Sequence, residues 1–417
     1  MATAALTPAV RATGETSSLA LVARPGTLGL GAHSAAVFEL VAPARSAGLR
    51  FPRGAQLQVS FQNDLPLPVA LHWRGLEGAT GLEPLLGRPP VPPGGKETVV
   101  LPLAQAGTLM VAPTLLTDDG SPPVRPLPLV VEEREAPATD RDIVLLIEEW
   151  RVSPDGKAMA PGRSDGGSTA AFTVNGQVEP EIKLRLNERV RLRFINGSQR
   201  SVVALKIEGR ELMVMAIDGR PAEPFAARNG AVILPPRGRC DAFVDAALAA
   251  GTSAALLLHD GKQAHPVARL LGSAEPPFRA DRLPAGPPLP ADKASGELPF
   301  SGALRIDLPL GAGAAWVGPA QLSSALPPAF RARAGQTVVL ALANAGGGAT
   351  TFHLHGHHFR LLDRLDDGWK PFWLDTLAVE PGQTQRIAFR AQRGSWLLET
   401  AGNAWEAPQR LRWFAVA

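Results

Sequence analysis

TVVLALAN (Thr337–Asn344) is followed, after a short loop, by FHLHG (Phe352–Gly356), and the chain writes this phrase twice more. RVRLRFIN (Arg189–Asn196) precedes LKIEG (Leu205–Gly209), and QLQVSFQN (Gln56–Asn63) precedes LHWRG (Leu71–Gly75). The spacing from Asn to closing Gly is 12, 13 and 12 residues. Each copy runs on through a proline turn: VPPGG from Val91, LPPRG from Leu234 and VEPGQ from Val379. A glycine then opens a further strand, in GTLMVAPT from Gly107, GTSAALLL from Gly251 and GSWLLETA from Gly394. The runs alternate with period two, as Leu57, Val59 and Phe61 do, which is the pattern of half-buried strands. No comparable amphipathic helix is present. Three copies of one strand-rich unit predict an all-β chain of three similar β-sandwich domains, at 17–135, 138–275 and 298–417. A proline-rich linker, 276–297, precedes the third, and REAPATDRD from Arg134 joins the first two.

Composition narrows the function. The 417 residues carry a formal net charge of +3 with basic and acidic side chains interleaved, so no basic stripe points to nucleic acid. One cysteine, Cys240, excludes an internal disulfide and any cysteine-based metal cluster. No apolar run is long enough to span a bilayer as a helix. The opening MATAALTPAVRATGETSS has neither an apolar h-region nor a twin arginine, so it shows no export signal. The five methionines form no cluster of the kind that handles copper(I).

Four of the eight histidines fall in TFHLHGHHF (Thr351–Phe359). His353 and His355 alternate, so both leave one face of a strand. Superposing the repeats puts His72, Lys206 and His353 in one slot and Arg74, Glu208 and His355 in the next but one. Along the paired strands, Ala112 matches Glu399 and Thr114 matches Ala401. Arginine has no lone pair to give a metal and stays charged. His357 and His358 are expected at a strand end, His259 and His265 in the second domain, His33 in an N-terminal loop, and Asp375 as a turn cap.

Those motifs carry a resemblance. The chain resembles the multicopper oxidases, the laccase-like family of three consecutive cupredoxin-like Greek-key β-sandwiches. The likeness runs through DRDIVLLIEEWRV, AIDGRPAEPF, FWLDTLAVEPGQTQRIAF and the terminal RWFAV. The family carries H-W-H-G, a following H-x-H, H-P-x-H-x-H-G, and H-C-H-x-x-x-H-x-x-x-x-M. By that resemblance His72 and His353 stand at the type 2 copper ligands and His355 at a type 3 ligand. Arg74, Ala112 and Thr114 stand at other type 3 positions, as do Glu399 and Ala401. The resemblance thereby puts Arg74 and Glu399 at positions that face one cavity, where they are expected to pair. Thr350, Thr400, Trp405 and Arg410 stand at the type 1 ligands.

The resemblance thus implies a family member without the type 1 centre or most type 3 ligands. The expectation is a non-catalytic binding or scaffold protein with an unidentified protein or small-molecule partner. The alternative is a copper-binding oxidoreductase with one type 2-like ion at His72, His353 and His355; a full set of four coppers is not expected. A monomer and a periplasmic location are implied by the family, with a cytoplasmic location left open by the N-terminus.

Overall fold

The computed structural model describes residues 16–31, 33–42, 49–116, 121–163, 166–290, 298–311, 315–362 and 369–417. Their strands form six sheets that pair, in chain order, into three sandwiches, with no α-helix among the described residues. In the first, a sheet ordered Lys96–Pro102, Gln56–Asn63, Thr16–Leu30, His33–Val41 and Val124–Arg125 faces a second one. That partner is ordered Arg50–Pro52, Leu127–Glu132, Gly107–Leu115 and Val69–Arg74. Leu57, Val59 and Phe61 fill the space between them with Leu71, Val111 and Val131. The third sandwich repeats the plan, with Val338, Leu340 and Leu342 packed on Phe352, Leu354 and Leu398. His33 opens a strand rather than lying in a loop, because its segment pairs back onto Thr16–Leu30.

The repeated asparagine is explained by one hydrogen-bond knot made three times. Asn63 Nδ2 donates to Leu67 O and Val91 O, and its Oδ1 accepts from Leu65 N. Asn196 does the same with Ser201 O, Leu234 O and Ser198 N. Asn344 repeats it with Gly348 O, Val379 O and Gly346 N. The second acceptor is each time the first residue of the proline turn, so the side chain ties strand, loop and turn together. All three asparagines are buried, where an amide left unpaired is costly.

Gly356 is needed for two reasons. Its φ of 65° is left-handed, and an added Cβ would lie 2.0 Å from the Trp396 ring. Its carbonyl also accepts a hydrogen bond from Gly78 N, 3.0 Å away, which joins the first sandwich to the third.

Charge is buried on the face that the half-buried strand pattern leaves polar. In RVRLRF, Val190, Leu192 and Phe194 enter the core, and Arg189, Arg191 and Arg193 on the opposite face are buried too. Arg191 pairs with Asp241 and Glu133, and Arg193 with Asp142 and Asp241. Arg193 Nη1 also donates to Thr108 Oγ1 of the first sandwich, at 2.8 Å. The face hidden is therefore a seam between domains. The described part of the proline-rich segment, to residue 290, lies along the second sandwich: Asn187 Nδ2 donates to Ala280 O, and Leu289 is buried against Met215 and Phe243.

Candidate functional site

Two strand pairs in equivalent registers build the site. His72 lies opposite Ala112 on the antiparallel partner of Val69–Arg74, and His353 lies opposite Glu399 on the partner of Thr350–Leu354. His355 follows one residue past its strand, in the turn that Gly356 permits. The first and third sandwiches bring these faces together. The ring centroids of His72 and His355 are 5.0 Å apart, and those of His353 and His355 are 4.7 Å apart. The three expected histidines thus converge at a domain interface, and all are buried.

The predicted pair is present. Arg74 Nη2 lies 2.6 Å from Glu399 Oε2, with the side chains 5% and 12% exposed. His355 is gripped on both ring nitrogens, by Glu83 at 2.9 Å and Glu399 at 3.2 Å. Glu83 gave no signal in the sequence: it sits beside a single 3₁₀ turn, outside any repeat.

Electrostatics divide the three imidazoles. Burial disfavours charge on His355, yet the Glu83 and Glu399 carboxylates overcome it and raise its pKa to about 9. Burial and the Arg74 charge lower His353 to about 3. Its Nδ1 donates to Asp375 O at 2.9 Å, leaving the Nε2 lone pair free of a proton. Burial, then the charged His355, push His72 well below the usual range. Both His72 ring nitrogens are buried without a hydrogen-bond partner among the described residues. Burial opposes the Glu399 charge, but Arg74 and His355 hold it well below the usual carboxylate range.

The atoms best grouped for a metal are those of His72, His355 and Glu399, whose donors all lie within 4.8 Å of one another. His353 is close by but outside this group. A cavity of about 130 Å³ opens over the pair, lined by Arg74, Ala112, Thr114, His353, Glu399 and Ala401 among others. Five of these, Arg74, Ala112, Thr114, Glu399 and Ala401, stand at positions that the family resemblance assigns to type 3 ligands. At positions that the resemblance assigns to type 1 ligands, Thr400 is buried with its hydroxyl unpartnered among the described residues, and Trp405 is buried beneath Arg151.

Around the site, several polar residues lock the three domains. Asp375 is no turn cap: it is buried and accepts from Arg239 Nη2 at 2.5 Å, while Thr376 Oγ1 donates to its other oxygen. Arg239 also donates to Thr108 O and Asp218 O, so one guanidinium touches all three sandwiches. His358, between two strands, sets its ring nitrogens against Glu77 of the first sandwich and Asp218 O of the second. His357 packs on Trp396 and Phe389 and accepts from Gln392 N. His259 and His265 lie on a hairpin of the second sandwich, where His265 pairs with Asp260. Cys240 is in that sandwich's core, where burial pushes its thiol well up.

With this geometry in view, comparison with known proteins is informative. Residues 141–230 and 311–416 each match a multicopper oxidase family model. Multicopper oxidase MmcO of Mycobacterium tuberculosis is 25% identical over 94% of this chain and 85% of its own length. Laccase-3 of Thanatephorus cucumeris is 27% identical over 46% of this chain and 38% of its own. The crystal structure of a multi-copper oxidase from Pseudomonas thermotolerans superposes with a TM-score of 0.81. That alignment is 24% identical and spans 97% of this chain and 100% of the other. Lac15 from a marine microbial metagenome gives 0.76 at 24% identity over 95% and 100%. No described helix is long and apolar enough to cross a membrane.

Proposed function

Because the chain belongs to the multicopper oxidase family, we propose that it is a member in which binding has replaced oxidation, its copper chamber being held together by an ion pair. The observation that carries this reading is the Arg74–Glu399 contact of 2.6 Å at two positions that the family resemblance assigns to type 3 copper ligands. A fixed guanidinium there opposes a cation and offers it no donor. Ala112, Thr114 and Ala401 around it have no imidazole or carboxylate to give.

The family's chemistry gathers electrons at a type 1 copper whose potential depends on a copper–thiolate bond. Thr400 is the residue at that place, and the buried Cys240 belongs to another domain's core. The four-copper set therefore does not fit these residues, and no oxidase step is derived through it. The protein acts by presenting its surfaces and chamber to a partner, in the periplasm by analogy with the family.

A second reading has one observation in its favour. His72 has two unpartnered ring nitrogens, in a group with His355 and Glu399 compact enough for one ion. An imidazole buried without partners is what a metal ligand looks like when its metal is set aside. Such an ion would be type 2-like, with no thiolate, and His353 is the fourth donor at hand. Against it stands His355, whose two ring nitrogens already face carboxylates, Glu83 at 2.9 Å and Glu399 at 3.2 Å, so that it must give up a proton and one of these contacts to ligate.

Copper loading followed by metal analysis and electron paramagnetic resonance decides between the two. The binding reading expects less than stoichiometric copper after dialysis. A stoichiometric type 2 signal abolished by His72→Ala would replace it with the second.

A further inference from the structure

The chamber is strongly cationic. Arg74, Arg163, Arg200 and Arg237 all line it, and Glu399 is the sole carboxylate among the described lining residues. That carboxylate is already shared by Arg74 and His355. Two guanidinium nitrogens stay unsatisfied there: Arg237 Nη1 and Arg74 Nε are buried with no hydrogen-bond partner among the described residues. Buried donors without acceptors are costly, and a guanidinium fork offers them in the geometry that suits an oxyanion.

Arg237 is also aimed deliberately. It holds φ at 70°, in the left-handed region that non-glycine residues seldom adopt. Its N–H donates to Asn196 O and its carbonyl accepts from Arg239 Nη1, so the LPPRG turn that presents it is clamped on both sides. Burial, then the charge of Arg74, bring its pKa down to about 9, as expected of a cation with no counter-ion of its own. Beside these groups the lining residues Ala112, Thr114, Thr351 and Ala401 are small.

We propose that this cavity binds one small free oxyanion of the sulfate or phosphate class, with Arg237 and Arg74 as its inner donors and Arg163 at its mouth. Its volume of about 130 Å³ is below the roughly 300–1,000 Å³ of pockets that take drug-sized ligands, which favours a compact tetrahedral anion over an aromatic substrate. The inference rests on the reading that the chamber binds rather than oxidises, since a copper cluster and an anion flanked by four arginines compete for one space.

The test is titration of the full chain with sodium sulfate against sodium chloride at matched ionic strength, followed by calorimetry and thermal melting in the presence of a chelator. One-to-one binding and a rise in melting temperature specific to sulfate are expected. Arg237→Gln should weaken binding by at least about tenfold, the loss of a charge-assisted donor. It should also raise the melting temperature of the anion-free protein, because an unpaired buried charge is removed. Arg163→Gln, at an exposed position, leaves folding intact and should weaken binding to a smaller degree. A response to sulfate no greater than to chloride overturns the proposal, and so does full affinity in both variants. Oxidase turnover measured on copper-loaded, chelator-free aliquots of the same protein separates the two claims. Oxidase turnover defeats the binding reading whatever sulfate does, whereas absent sulfate binding with absent turnover defeats only the anion site.

Discussion

Replacing Glu399 by Gln and Arg74 by Met, singly and together, tests whether the ion pair is the organising element of the chamber. Removing one partner of a buried pair costs about 3–5 kcal/mol, because the survivor is left charged and dry. The two single substitutions should differ. Without Glu399, Arg74 loses its one acceptor among the described residues and His355 keeps Glu83, which places Glu399→Gln near the upper end, about 5 kcal/mol. Without Arg74, Glu399 still receives a proton donor from His355 at 3.2 Å, which places Arg74→Met near about 3 kcal/mol. The double replacement, Arg74→Met with Glu399→Gln, removes both charges at similar volume and should recover most of the loss, leaving the pair strongly non-additive. Urea unfolding of the four proteins, with midpoints compared at constant slope, measures this. Single losses under about 1 kcal/mol, or losses that simply add, would refute the argument that this contact replaces a metal.

Two further outcomes follow from the fold. Asn344→Ala removes three hydrogen bonds made by one buried amide and leaves the buried Val379 carbonyl without its donor, so it should cost about 3 kcal/mol, far more than a similar change at an exposed asparagine. Burial and the neighbouring Asp375 raise the pKa of Asp218 from 3.8 to about 6. The folded protein therefore holds an extra proton in that window, and this contribution to stability is present below the unfolded value and lost as pH rises towards 6. The loss is on the order of 3 kcal/mol, and Asp218→Asn should remove it, flattening the stability profile between pH 4 and 6; an unchanged slope would show that Asp218 titrates normally.

The sequence revealed most where a pattern repeats. Three copies of strand, asparagine, turn and glycine gave the architecture, and the family resemblance brought Arg74 and Glu399 to one cavity across 325 residues of chain. The same periodicity hid the arginines of RVRLRF, because alternation reports that one face is apolar and cannot say that the other is covered by a neighbouring domain. Glu83 and Arg163 lie outside strands, where no period marks them. Asp375 looked like a turn residue because its partners, Arg239 and Asp218, come from another sandwich more than 130 residues earlier. In each of these cases the missing information is how the domains dock, which local patterning does not encode.

The most direct measurement is dioxygen consumption by the purified protein after copper loading and dialysis, with a phenolic reductant and free copper as the control. The account expects a rate no higher than the control and no absorption from a copper–thiolate bond. Sustained turnover above it, abolished by chelation and by His72→Ala, would contradict the claim that this chamber has exchanged its metal for an ion pair.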